Sequence, residues 1–109
     1  ASQKKIIFCL FDNKDFKPFF VDSGQGPADL ILGNFFSQTF SGSKKTPNNL
    51  IKNFWAKGSD VYIHVLHEIV DNKEETNLLK YWQKQFKSKD EHSPLGPKFS
   101  EGLKKRFNY

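Results

Sequence analysis

Lysines at helical spacing are the residues of this sequence best suited to chemistry, because a row of ammonium groups can bind phosphates. Lys80, Lys84 and Lys87 recur at i, i+4 and i+7, which places them on one face of a predicted helix. Tyr81 lies among them and offers a ring on which a base can stack. The candidate nucleic-acid contacts are these three lysines and four earlier ones, Lys44, Lys45, Lys52 and Lys57. A solvated helix face without a ligand is the alternative interpretation.

The histidines and carboxylates are not spaced for a metal site or for acid–base catalysis. His64 and His67 lie three residues apart on a predicted strand, so alternation sends their side chains to opposite faces. Asp71, Glu74 and Glu75 precede a predicted helix, where negative charge favours the helix dipole. The sequence therefore predicts no metal, no cofactor and no catalytic pair.

The single cysteine, Cys9, lies in the middle of a predicted strand and has no cysteine to pair with. We interpret it as a buried thiol of an intracellular protein, nuclear or cytoplasmic.

His92 lies in a polar loop with no obvious partner. No apolar run approaches the ~20 residues of a membrane span. We therefore expect no membrane partner and no small-molecule substrate.

Length and composition predict one folded domain over residues 1–109. The chain has 37% hydrophobic residues and 12 phenylalanines, enough for a packed core. Its net charge of +5 suits an acidic partner such as nucleic acid, although an ordinary soluble surface is compatible with it. Because the sequence begins with Ala1 and contains no methionine, we expect it to be a fragment of a larger protein.

The N-terminal stretch is the element that must position any site. Residues 6–11 and 19–21 are apolar runs separated by the polar turn of residues 12–15, which predicts a β-hairpin with Pro18 at the start of its second strand. Gly24 and Gly26 then allow a sharp turn. Helices are predicted over residues 27–38 and from Thr46, as N-cap, to the closing pair Lys57 and Gly58.

The second half of the chain continues with one strand and two helices. Residues 61–66 are apolar at both parities, which predicts a central strand covered on both faces, with an edge position as the alternative. Asn72 and Glu75 match a capping box for the next helix. Its predicted buried stripe is Leu78, Leu79, Trp82 and Phe86, and that of the last helix is Phe99, Leu103 and Phe107, beside the basic run 104–106. The last stripe packs on the core or serves as a docking face.

The predicted fold class is α+β: a small three-stranded antiparallel sheet flanked by helices, in the order β-β-α-α-β-α with a C-terminal helix. Within it, IIFCLFDNKDFKPFFVDSGQG resembles the opening of the GIY-YIG endonuclease superfamily. NNLIKNFWAKGSDVYIHVLHEI is similar to the second helix and third strand of that family, and EETNLLKYWQKQF lies where its metal-binding helix would be. The resemblance covers about residues 4–87 and implies the same sheet and helix order.

The resemblance also implies that the family's chemistry is lost. The two tyrosines of the family fall on Phe8 and Phe20, and a motif glycine falls on Asp22. The metal-binding glutamate falls on Lys80, and no arginine precedes Arg106 to supply the catalytic one. A phenyl ring cannot act as a general base, and an ammonium group repels a divalent cation. Gly24 and Gly26 are retained, so the shape is expected to survive and no catalytic residue is carried over.

These observations lead to a catalytically inactive GIY-YIG-like module that binds a protein or a nucleic acid, DNA or RNA, within a larger protein. Lys80 would then replace a metal with a phosphate contact. The alternative is an active metal-dependent, structure-specific endonuclease with a rearranged site, built from His64 or His92 with Glu68. An unrelated small α+β domain is the third possibility.

Overall fold

Three antiparallel strands and four helices make up residues 4–107, the part of the chain that the computed structural model describes. The predicted α+β fold class, with its three-stranded antiparallel sheet and its element order, is confirmed. The elements are β1 (Lys5–Asp12), β2 (Pro18–Gln25), α1 (Ala28–Phe40), α2 (Asn48–Ala56), β3 (Val61–Ile69), a 3₁₀ turn (Asn72–Glu74), α3 (Glu75–Lys87) and α4 (Pro97–Phe107).

The central strand is β1, because the strand order in the sheet is β2-β1-β3. Every residue of β1 after Lys5 is buried, as expected for a strand with a ladder on each side and helices on both faces. The prediction that residues 61–66 form the central strand was therefore wrong, and the edge alternative is correct. The apolar run of β3 resembles that of β1, but Val65, His67 and Glu68 of β3 are exposed.

Helices cover both faces of the sheet, and alternate residues of β1 divide between the two cores. Ile6, Phe8 and Leu10 pack with the helices α1 and α2. Ile7 and Cys9 pack with the predicted apolar stripe of α3, whose members Leu78, Leu79, Trp82 and Phe86 are partly buried. We call these the α1–α2 face and the α3–α4 face of the sheet.

The hairpin turn depends on a buried carboxylate. The Asp12 side chain is 3% exposed, and its Oδ2 accepts hydrogen bonds from the backbone N–H groups of Lys14 (3.1 Å) and Asp15 (3.2 Å). Pro18 begins β2, as predicted for a residue that cannot donate to a ladder. After β2, Gly26 has a φ of 113°, a conformation that glycine adopts without strain. Both ends of β2 are thus defined locally.

The helices on the α1–α2 face begin one residue later than expected and end as expected or beyond. Thr46 is not the N-cap of α2; Pro47 occupies that position, and the helix begins at Asn48. Its C-terminus follows the prediction, because Gly58 has a φ of 79° and donates its N–H to Trp55 O (2.9 Å). The first helix, α1, runs two residues past its predicted end, to Phe40.

The predicted capping box at the start of α3 is not formed. Asp71 caps the preceding 3₁₀ turn, with Oδ1 accepting from the Lys73 N–H (3.0 Å), and Glu74, at the N-cap of α3, makes no side-chain capping bond. The carboxylate of Glu75 instead accepts a hydrogen bond from Lys5 Nζ (2.9 Å) and one from the Ser23 hydroxyl (3.3 Å). The Glu75 side chain therefore contacts Lys5 of β1 and not the backbone N–H groups at the start of the helix.

The last helix, α4, packs on the sheet through the predicted stripe. Leu103 is 3% exposed, and the Phe107 ring lies 5.8 Å from that of Phe11 and 5.0 Å from that of Tyr62. The core alternative for this stripe is therefore the correct one. Within residues 4–107, no helix is long and apolar enough to span a membrane.

Candidate nucleic-acid interface

The positions at which the resemblance places the two tyrosines and the motif glycine lie on the α1–α2 face. Phe8 is directly opposite Asp22 in the β1–β2 ladder, Leu10 is opposite Phe20, and Ile6 is opposite Gly24. Residues opposite each other in a ladder project to the same face. Phe20, Asp22 and Gly24 are therefore on the face to which Phe8 and the other even-numbered residues of β1 contribute.

Phenyl rings occupy this region. The Phe8 ring lies 6.5 Å from that of Phe20 and 6.0 Å from that of Phe35 in α1, and the Phe20 and Phe35 rings are 5.9 Å apart. Phe8 is only 1% exposed. A trio of rings within 4.5–7 Å is a packing arrangement and offers neither a proton nor a metal ligand.

The rest of the region is filled by backbone and small groups. A Cβ on Gly24 would lie 3.1 Å from Ile31 Cδ1 and 3.3 Å from Phe8 Cε1, so this glycine permits close packing of β2 against α1. Asp22 is half-buried, and its Oδ1 accepts the Ser23 N–H at 2.8 Å. Gly26 is buried, and its N–H donates to Lys4 O. Asp22, Gly24 and Gly26 therefore have structural roles, in packing and in local hydrogen bonds.

Lys80 lies on the other side of the sheet. Its helix, α3, packs through Leu78, Leu79 and Trp82 on the core that contains Ile7 and Cys9. The structure therefore does not bring Lys80 together with Phe8 and Phe20. The Lys80 ammonium group, which the resemblance places at a metal-ligand position, therefore belongs to a separate, solvent-facing surface.

That surface is a row of exposed lysines, Lys80, Lys84 and Lys87, which we call the α3 lysine row. Together with Gln83 and Ser88, these lysines line an open groove with a volume of about 530 Å³. The predicted sharing of one helix face is confirmed. Tyr81 is also exposed, with its ring at 5.3 Å from that of Trp82.

Within residues 4–107, no carboxylate forms an ion pair with the α3 lysine row. The ion pairs of this part of the chain join Lys4 to Glu68, Lys5 to Glu75 and His92 to Glu91. Residues 76–89 contain no aspartate or glutamate. The field above this part of α3 is consequently positive, which attracts a polyanion.

The other candidate lysines form a second group on the opposite side of the sheet. Lys44 and Lys45 lie in the loop after α1, Lys52 lies on α2, and Lys57 lies at the end of that helix; all four are exposed. The backbone carbonyl of Lys57 accepts a hydrogen bond from Lys14 Nζ (2.8 Å). The seven predicted contacts thus belong to two surfaces with the sheet between them.

The two strand histidines project to the same face, contrary to the alternation predicted for them. His67 is opposite Ile7 and His64 is opposite Cys9, because the ladder between β1 and β3 shifts register between Ile7 and Phe8 and leaves Leu66 unpaired. One inserted residue of this kind reverses the alternation beyond it. The His64 ring packs against the Phe99 ring at 5.4 Å, whereas His67 is exposed.

The rearranged nuclease site is not assembled either. Glu68 is opposite Ile6 and so projects to the α1–α2 face, away from His64, and its carboxylate pairs with Lys4 at 3.5 Å. His92 is exposed beside Glu91. Among residues 4–107, no three His, Cys, Asp or Glu side chains are placed to hold a metal ion.

Among residues 4–107, three titratable groups have shifted pKa values with evident causes. Cys9 is fully buried in the core, as predicted, and this burial raises the pKa of its thiol to about 12. Burial, followed by the charge of Arg106, lowers the pKa of His64. The hydrogen bond from Lys5 is the largest cause that lowers the pKa of Glu75. None of these shifts creates an acid–base pair.

Comparisons of the chain with protein-family models, with curated protein sequences and with solved structures returned no match. The resemblance to the GIY-YIG superfamily therefore stays a prediction made from the sequence.

Proposed function

We propose that the chain is a catalytically inactive, GIY-YIG-like module that binds the phosphate backbone of a nucleic acid through the α3 lysine row. The observation that favours this function is the groove along α3, where three lysines have no carboxylate partner among residues 4–107. Their i, i+4, i+7 spacing extends over about 10 Å of helix, enough to meet successive phosphates.

The inactive character is supported by the aromatic packing on the α1–α2 face. Phe8, Phe20 and Phe35 pack against one another where the family resemblance places the catalytic tyrosines. The position of Lys80 across the sheet from these rings argues for independent use of the lysine. The buried thiol of Cys9 supports the intracellular setting, nuclear or cytoplasmic, that the proposal assumes.

Charge reversal on α3 tests the proposal directly. Labelled duplex DNA and duplex RNA are titrated with the wild type and with Lys80→Glu and Lys84→Glu variants at about 50 mM and 200 mM salt. Removal of one phosphate contact lowers the slope of log affinity against log salt by about 0.9. We expect weaker binding and a smaller slope for both variants.

Lys98→Glu is the matched control, because Lys98 is exposed, lies on α4 and causes the same change in net charge. Equal effects of Lys80→Glu and Lys98→Glu on affinity and slope would contradict the α3 lysine row as the binding surface. Absence of binding by the wild type at the lower salt would contradict the nucleic-acid function and favour a protein partner.

A further inference from the structure

The end of α1 carries an aromatic side chain that the fold does not cover. Phe40, the last residue of α1, is 80% exposed, and its ring lies 4.8 Å from the ring of Trp55 on α2. Trp55 in turn lies 5.1 Å from Phe36, and both of these rings are half-buried. We call these three residues the aromatic platform. The inner two rings support the outer one, which faces solvent.

The surroundings of the aromatic platform are positive. Residues 30–59, which include most of α1 and all of α2, contain four lysines and no aspartate or glutamate. Lys44 and Lys45 follow α1 within five residues of Phe40, and Lys52 precedes Trp55 by three positions on α2. An exposed ring beside these lysines suits a ligand with both flat apolar groups and negative charges.

Hydrogen bonds hold the lysine-bearing loop to the two helices. Asn49 Nδ2 donates to Lys44 O (2.6 Å), and the Asn49 N–H donates to Lys45 O (3.1 Å). The Ser43 hydroxyl donates to Asn48 Oδ1 (3.1 Å), and Asn48 Nδ2 donates to Thr39 Oγ1 (3.1 Å). The backbone of the loop is thereby positioned next to the last turn of α1, and with it the two lysines.

We propose that the aromatic platform binds single-stranded nucleic acid, with a base stacked on Phe40 and phosphates bound by Lys44, Lys45 and Lys52. Bases in a duplex are already stacked on their neighbours, whereas unpaired bases offer a free face to an aromatic ring. The site lies on the opposite side of the sheet from the α3 lysine row and is a second binding surface, beyond the proposed function.

Tryptophan fluorescence provides a local measurement. The chain has two tryptophans, so Trp82→Phe leaves Trp55 as the only one. In this background we expect short oligo(dT) and oligo(U) to quench the fluorescence of Trp55, and the two probes separate DNA from RNA. Phe40→Ala is expected to weaken binding about 5- to 150-fold, the range for loss of one base–aromatic stack.

Leu30→Ala is the matched control for Phe40→Ala, because Leu30 is also an exposed apolar residue of α1. It should leave the affinity for both oligonucleotides unchanged. Circular dichroism of each variant checks that the fold is retained. An unchanged affinity in Phe40→Ala would overturn the proposal, and so would the absence of Trp55 quenching in the Trp82→Phe protein that carries no other substitution.

Two further arms separate base stacking at this site from binding at α3 and from general attraction of polyanions. The double variant Lys80→Glu, Lys84→Glu should leave the quenching of Trp55 unchanged. The proposal for the aromatic platform and the proposal for the α3 lysine row are thereby tested independently. Polyglutamate should not compete with oligo(dT), because it supplies charge without bases. Equal competition by polyglutamate would indicate a general polyanion or acidic-protein surface and would contradict single-strand recognition.

Discussion

The rings of Phe8 and Phe20 lie 6.5 Å apart on the face of the sheet covered by α1, with Phe35 within 6.0 Å of each. Phe8 is nearly inaccessible to water. A hydroxyl group at its position would need a buried hydrogen-bond partner, and its neighbours are other phenyl rings. This relationship makes the region a part of the core.

Restoring a tyrosine at position 8 should destabilise the protein. Phe8→Tyr places a hydroxyl among apolar groups, and we expect a loss of about 1–3 kcal/mol in the free energy of unfolding, measured with urea. Phe40→Tyr, at an exposed ring, is the control and should change it by less than about 0.5 kcal/mol. If Phe8→Tyr were neutral and also cut DNA with Mg²⁺, the region would be a dormant site and our interpretation would be wrong.

The buried side chain of Asn48 should be important for stability. It is 2% exposed and bonds to Phe35 O (3.0 Å), Thr39 Oγ1 and Ser43 Oγ. Asn48→Ala removes these three hydrogen bonds from a buried position, and we expect a loss of about 1–3 kcal/mol in urea denaturation. Asn53→Ala, at an exposed position of the same helix, is the control. Equal losses in the two variants would show that helix propensity, and not the hydrogen bonds, causes the effect.

The Glu75 carboxylate should contribute stability above its ordinary pKa. Its pKa is lowered by the hydrogen bond from Lys5, so the ionised form stabilises the fold above pH 4.5, and this contribution is lost as the pH falls through the lower folded pKa. The difference in unfolding free energy between wild type and Glu75→Gln should be largest near neutral pH and shrink below pH 4.5. A difference that stays constant from neutral to acidic pH would contradict this role; Glu74→Gln is the exposed control.

Protonation of His64 should destabilise the protein. Burial and Arg106 lower its pKa, so the folded state favours the neutral imidazole. Stability should therefore fall as the pH drops below 6.5, the ordinary value, towards the lower folded pKa. His64→Gln should reduce this fall, whereas His92→Gln, at an exposed position, should not. An identical pH profile of unfolding for His64→Gln and wild type would exclude this contribution.

The sequence predicts the fold class well, because periodicity and turn residues determine it locally. The spacing of apolar residues predicts the hairpin strands and the apolar stripes of α3 and α4. The backbone geometry of Pro18 and Gly58 predicts the start of β2 and the end of α2. The order of the strands in the sheet was harder to predict from the sequence. Both β1 and β3 are apolar at both parities over much of their length, and only pairing decides which of them is central.

The features that the sequence could not provide depend on contacts between distant residues. The register shift at Leu66 places His64 and His67 on one face of the sheet. The local sequence contains no pattern from which such an inserted residue can be predicted. Glu75 was expected at a helix cap, but Lys5, seventy positions earlier, is its partner. The lysines of α3 share one helix face as their spacing predicts, yet the division of the seven candidate lysines between two sides of the sheet required the structure.

The most direct test of the central claim is to titrate short single-stranded, duplex and branched DNA and RNA with the wild-type chain, at two salt concentrations, with Mg²⁺ or with chelator. We predict salt-sensitive binding that the chelator does not change and no cleavage in any sample. Cleavage that requires Mg²⁺ and stops with the chelator would contradict the claim of an inactive binding module.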